Sequence, residues 1–173
     1  MRNRPFWLAP PVLAFSACGG TSPSPTPPQI AGTFTGQVTY RSASPDTQCY
    51  AQFLRSLGSG HNYNVTVTVQ QSGEQIQGTL RGTHIQTTCS FSGDIQSGGS
   101  TRWQQTSCPE ACTTFADGSC AAVRICVADH SFNGQASGNR ISGTHNVSWD
   151  LFDLTSGASL GRLEISGTLG VNR

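Results

Sequence analysis

The sequence predicts an all-β domain, an antiparallel up-and-down barrel of about eight strands, and three observations carry that prediction. Charged residues make up only 11% of the chain, and Ser, Thr, Gln and Asn supply the polarity instead. Long helices draw on Glu, Lys, Ala and Leu, so this balance favours strands. Second, apolar and polar residues alternate in run after run, as in Val65, Val67 and Val69 against Thr66, Thr68 and Gln70. Third, a short pattern recurs: IAGTF from Ile30, IQGTL from Ile76, ISGTH from Ile141 and ISGTL from Ile165, with looser copies FSGDI from Phe91 and FNGQA from Phe132. In each copy Gly shares the parity of the apolar residues and so faces inward. An inward glycine lets a strand coil sharply and lets a large side chain lie across it, which is how a sheet closes on itself.

Strands are expected near 31–41, 62–71, 74–84, 87–96, 101–107, 122–136, 140–152 and 159–171. Gln71-Ser72-Gly73, Ser97-Gly98-Gly99 and Gly138-Asn139 are short hairpin signals, which make the sheet a meander. In the sixth strand the inward parity switches, from Val123, Ile125 and Val127 to Phe132, Gly134 and Ala136. A bulge or break near Asp129–Ser131 accounts for the switch. A two-sheet β-sandwich is the structural alternative.

Ahead of the domain lies an export signal. Arg2 and Arg4 give a positive start, Phe6 to Phe15 is too short to span a bilayer, and the small Ser16 and Ala17 precede Cys18. Residues 1–17 followed by Cys18 resemble the leader of a bacterial lipoprotein. That resemblance implies cleavage before Cys18, acylation of its thiol and amine, and attachment to the cell envelope. Gly19 after the cysteine implies the outer membrane. More than one acyl chain gives stable anchoring. Pro23, Pro25, Pro27 and Pro28 then stiffen a tether over 18–29 that lifts a single domain, 30–173, off the membrane. All ten basic residues are Arg; apart from Arg2 and Arg4, eight face nine acidic residues, and no basic patch suits nucleic acid.

Gly32-Thr33-Phe34 opening the first strand, with repeated Gly-Thr steps in a meander, is similar to lipocalin and avidin-type (calycin-like) barrels. The resemblance covers Ile30 to Val171 and implies eight strands around a ligand-holding interior.

Seven cysteines are odd for an exported chain; removing Cys18 leaves Cys49, Cys89, Cys108, Cys112, Cys120 and Cys126, an even set that reads as three disulfides. If the fifth and sixth strands form a hairpin, nested bridges Cys112–Cys120 and Cys108–Cys126 suit the spacing and leave Cys49–Cys89. This is one of many pairings that six cysteines allow. The bridges would staple two long loops, 42–60 and 108–121. A zinc site from Cys108, Cys112, Cys120 and Cys126 lacks paired close spacing, so no metal and no cofactor is assigned.

Phe34, Tyr40, Tyr63, Phe91, Trp103 and Trp149 have inward parity and are the candidate lining of an apolar pocket; they would equally fill a solid core. His61, His84, His130 and His145 share that parity, but only His145 reads as mid-strand, which makes it the first histidine candidate. Catalysis has little support. No Gly-x-Ser-x-Gly elbow is present, Asp150 and Asp153 have opposite parity, and Asp94 and Glu164 point outward. Asn64-Val65-Thr66 and Asn146-Val147-Ser148 match glycosylation sequons, read as coincidental in a bacterial lipoprotein. The expectation is therefore a non-enzymatic, membrane-anchored envelope protein holding a small, largely apolar ligand. The alternative is a solid-cored module that contacts a protein or glycan through its stapled loops.

Overall fold

The structure, a computed structural model, describes residues 25–44, 62–83, 87–109, 112–116 and 122–173. Nine strands carry these residues: β1 (Gly32–Ser44), β2 (Asn62–Ser72), β3 (Gln75–Gly82), β4 (Thr88–Ile95), β5 (Ser100–Ser107), β6 (Cys112–Phe115), β7 (Val123–Ser137), β8 (Arg140–Asp153) and β9 (Ser159–Asn172). Neighbouring strands pair antiparallel in the order β5-β4-β3-β2-β1-β9-β8-β7, and β5 pairs with β7 to close the ring. The result is an eight-stranded up-and-down barrel, not a sandwich, with β6 as an extra strand on β7.

The repeated glycines face the interior and sit where rings cross. Phe132 Cζ lies 2.6 Å from the place a Cβ on Gly134 would occupy and 2.9 Å from that of Gly143. Phe91 Cζ comes equally close to Gly78, at 2.8 Å, and Tyr40 Cδ1 to Gly167, at 2.6 Å. Each aromatic thus lies flat on a bare stretch of neighbouring strand, a packing that no larger residue allows. Gly32 and Gly93 are exceptions: Gly32 lies half-buried at the barrel rim beside the Arg173 guanidinium, and the place of a Cβ on Gly93 is closed by the backbone of Arg102 and Trp103.

The turn signals hold with small offsets. Gly73-Glu74 joins β2 to β3, and Gly73 has φ 61°. Gly138-Asn139 joins β7 to β8. Gly99, φ 81°, closes the β4–β5 turn through its N–H to the Gln96 carbonyl, 2.8 Å. These turns, the entry of the chain and its exit share one pole, the turn end. There Gln71 accepts the Ile30 N–H at 2.7 Å and donates to the Pro28 carbonyl at 3.1 Å. The Arg173 guanidinium donates to the Ala31 carbonyl and lies 5.2 Å over the Phe34 ring. At the other pole, the loop end, the described strands stop at segments 45–61, 84–86, 110–111 and 117–121, which lie outside the described residues.

The parity switch in β7 is a bulge between Val127 and Asp129, just before the expected place. It turns His130, Phe132 and Ala136 into the core, where they are 1%, 2% and 6% exposed.

Two expectations need correction. The segment 108–121 is not all loop, because β6 pairs Cys112–Phe115 with Val123–Cys126. Its four residues show no alternating apolar pattern and are mostly exposed, so periodicity could not reveal it. The expected disulfides are also wrong: the bridges are Cys89–Cys108 and Cys112–Cys126. The β4–β5 register sets Ser90 opposite Ser107, which brings Cys108 to Cys89 rather than to β7. The β6–β7 register places Cys112 directly opposite Cys126. Since Cys89 is taken, the Cys49–Cys89 bridge is excluded; Cys18, Cys49 and Cys120 lie outside the described residues. Replacing both cysteines of either bridge by Ser is expected to cost about 3 kcal/mol in denaturant unfolding, because each closes a loop of modest length.

Candidate functional site

The inner face of β5, β7 and β8 gathers the chemistry. Trp103 on β5 sits opposite Phe132 on β7, and Phe132 opposite His145 on β8. The rings form a stack: Phe91 to Trp103 at 4.6 Å between centroids, and Trp103 to Phe132 at 4.1 Å, with interplanar angles of 22° and 17°. One step toward the loop end from this stack the interior turns polar. The β5–β7 register, continued one residue from Gln104 opposite Ser131, sets Gln105 beside His130. The rings of His130 and His145 lie 5.6 Å apart.

Tyr40 completes the group from across the barrel. In register it lies beside Gly167 on β9, which in turn lies beside His145. Because Gly167 has no side chain, the Tyr40 ring crosses it, and the hydroxyl reaches His145 Nδ1 at 3.3 Å. The Tyr63 ring stands 5.9 Å from that of Tyr40. Burial raises the Tyr40 phenol above its ordinary range, and a charge on Tyr63 would raise it further; it is a neutral hydroxyl at neutral pH.

Several polar atoms here have no hydrogen-bond partner. Neither ring nitrogen of His130 has one, nor does Trp103 Nε1 or Gln105 Oε1. Gln105 spends its amide N–H on the Ala128 carbonyl, in the bulge, at 3.2 Å. Leaving a buried donor or acceptor unsatisfied costs roughly 1–3 kcal/mol each. Native interiors seldom tolerate several together, and each calls for an explanation in function or in bound water.

His130 is 1% exposed, and burial pushes its pKa down to about 4 against the opposing pull of Asp129. It is neutral at neutral pH, with one ring nitrogen a donor and the other an acceptor. Its folded value lies below the unfolded value, so the unfolded chain takes the proton first as pH falls. Stability is therefore expected to be full above about pH 6.5 and to decline as pH drops toward about 4, by up to about 3 kcal/mol. Denaturant unfolding across that range checks this, with His130→Leu expected to flatten the profile.

Of the seven lining candidates, Tyr40, Tyr63 and His145 meet in the polar group, and Phe91 and Trp103 in the stack. Phe34 lies apart at the turn end under Arg173. Trp149 is buried farther along β8 toward the loop end, opposite Val127 and Leu163. His61 and His84 lie outside the described residues. Sequence reasoning undervalued His130 by treating it as a strand-end residue; the irregularity there is a bulge through which β7 stays paired, and His130 is as buried as His145. Phe132 and Gln105 were also missed. Phe132 has inward parity after the bulge, and Gln105 shares the inward parity of Trp103, but a glutamine in a polar run reads as solvent-facing.

The acidic residues have other partners. Asp94 pairs with Arg102 at 3.0 Å and Asp150 with Arg162 at 2.8 Å on the outer wall. Asp153 Oδ1 accepts from Thr155 N, Ser156 N and Ser156 Oγ in the β8–β9 turn. Those bonds, the Ser156 backbone first, hold its carboxyl below the usual range. Among the described residues no three His, Cys, Asp or Glu gather as a metal site. The three described surface grooves all open on the outer wall, as around Thr35, Gln37 and Asn64, or Asp129, Ser148 and Glu164.

Fold and site together define a disulfide-bonded antiparallel β-barrel with a polar group set in an aromatic interior. Comparison of the chain with protein-family models, curated proteins and solved structures gives no match.

Proposed function

We propose that this protein is a non-enzymatic binding module of the bacterial envelope, lipid-anchored through Cys18, probed by a small, largely apolar molecule that enters its barrel. One observation carries the binding reading: buried atoms of His130, Trp103 and Gln105 have no hydrogen-bond partner in the protein. A core selected only for stability would replace them with hydrocarbon. The aromatic stack beside them supplies an apolar wall of the kind small-molecule sites use.

The leader and cysteine pattern support export and anchoring, and disulfides suit an oxidising compartment. The chain enters the barrel at the turn end, so a tether from Cys18 would hold that pole toward the membrane and leave the disulfide-linked loop end facing away. The anchor is tested by fractionation. The wild type is expected with the membranes, acylated on Cys18, and Cys18→Ala in the soluble fraction. A membrane-bound Cys18→Ala together with an unacylated wild type would refute the anchor.

The binding reading is tested by exchanging stability for function. His130→Leu removes two unpartnered nitrogens at nearly constant volume. It is expected to raise stability by about 1 kcal/mol or more in denaturant unfolding. A loss of stability would mean that His130 is a structural residue and would count against the site.

A second reading has its own support. The 4.1 Å and 4.6 Å ring separations fill the middle of the barrel, and Leu154 and Leu160 are each 47% exposed at the β8–β9 tip. A solid-cored module that contacts an envelope protein or glycan through its loop end fits those two facts.

A further inference from the structure

Among the described residues the interior offers no buried charge: no Arg, Asp or Glu is buried, and the buried hydrogen-bonding side chains are Tyr40, Thr101, Trp103, His130 and His145. Arg102, Asp94, Arg162 and Asp150 neutralise each other on the outer wall. Asp129, the acidic neighbour of His130 in sequence, is half-buried and lines an outer groove with Ser148, Glu164 and His130 itself. Arg173 is occupied at the turn end.

What the interior does offer is a mixed set of neutral hydrogen-bonding groups. Trp103 Nε1 can only donate, Gln105 Oε1 can only accept, and neutral His130 does one with each nitrogen. A group that satisfies them must both accept and donate. An ionised group fails on two counts. A carboxylate cannot donate to Gln105 Oε1, and an ammonium cannot accept from Trp103 Nε1. Either would also be stripped of water with no buried counter-charge among the described residues, at a cost of several kcal/mol. Next to these atoms the stacked rings of Phe91, Trp103 and Phe132 form an apolar wall.

We infer that the barrel selects an uncharged, largely apolar molecule bearing one group that both donates and accepts a hydrogen bond, of the carboxamide or lactam class, and rejects its anionic and cationic counterparts. This inference rests on the binding reading proposed above and specifies its ligand.

Three probes of matched shape test it: 2-naphthamide, 2-naphthoate and 2-naphthylmethylammonium. Each is titrated calorimetrically into the full chain in non-ionic detergent at about pH 7.5, where the last two are ionised. The amide is expected to bind at least about 100-fold more tightly than either ion. His130→Leu and Gln105→Met, each with an unchanged far-ultraviolet dichroism spectrum, are each expected to weaken amide binding about 10-fold. Anion or cation binding within a few-fold of the amide would overturn the selectivity while leaving a binding barrel. Amide binding unmoved by both variants would place the polar recognition elsewhere and overturn the inference. Failure of all three probes to bind would overturn it together with the binding reading.

Discussion

Trp103→Ala is expected to destabilise the barrel by about 4 kcal/mol, the largest effect of any single truncation in the interior. Trp103 is 3% exposed and is the middle ring of the Phe91–Trp103–Phe132 stack, so its loss strips both neighbours of a face. The neighbours cannot collapse into the gap. Phe132 is pinned over Gly134 and Gly143, and Phe91 over Gly78. The cavity term therefore adds nearly in full to the lost transfer energy. Trp103→Phe keeps a ring in the stack and removes one unpartnered N–H, so it is expected to cost less than about 1.5 kcal/mol. Equilibrium denaturation of both variants measures the contrast. Equal losses would mean that the stack contributes through something other than ring packing.

Gly78→Ala is expected to cost about 3 kcal/mol or more, although it adds a single methyl group. That methyl would fall on the Thr68 carbonyl oxygen of β2, and 2.8 Å from Phe91 Cζ. Relief would require moving backbone in a ring of strands that has no free edge to yield. Gly170→Ala is the control: it lies on β9, and nothing stands within 4 Å of its added methyl, so a change within about 0.5 kcal/mol is expected. Chemical denaturation of the two variants, in one background, separates inward close approach from a general dislike of replacing strand glycines. Similar losses at both positions would leave the glycine repeat without its assigned role in closing the barrel.

That repeat is also why so much of the fold was legible. Alternation is local, and in Val65–Val69 or Leu163–Val171 it states which residues face the core without reference to the rest of the chain. The glycines shared that parity, and closure followed from them. The bulge at Val127/Asp129 could be read because it reverses a parity that is otherwise unbroken. What escaped depended on neighbours distant in sequence. The strand β6 exists because Cys112 meets Cys126 across a register that its own four residues do not encode. The pairing of Cys89 with Cys108 follows from the β4–β5 register rather than from spacing between cysteines.

The candidate site was half legible for the same reason. Tyr40, Tyr63, Phe91, Trp103 and His145 were singled out by parity and do assemble in two adjoining groups. Their chemistry comes from residues whose sequence context misleads. His130 follows a bulge beside Asp129, and Gln105 stands in the polar run Gln104-Gln105-Thr106. Only the closure of β5 onto β7 brings those two strands together, with His130 buried and Gln105 half-buried. The Tyr40–His145 contact spans more than a hundred residues of sequence and depends on Gly167 between them.

The most direct measurement is native mass spectrometry of the full chain, isolated from the producing cells under mild conditions and compared with His130→Leu. The wild type is expected to carry a stoichiometric small-molecule adduct, uncharged in solution at neutral pH, that His130→Leu lacks. An adduct retained equally by both proteins, or a wild type that is free of adduct and takes up none of the three naphthyl probes, would contradict a ligand site at His130.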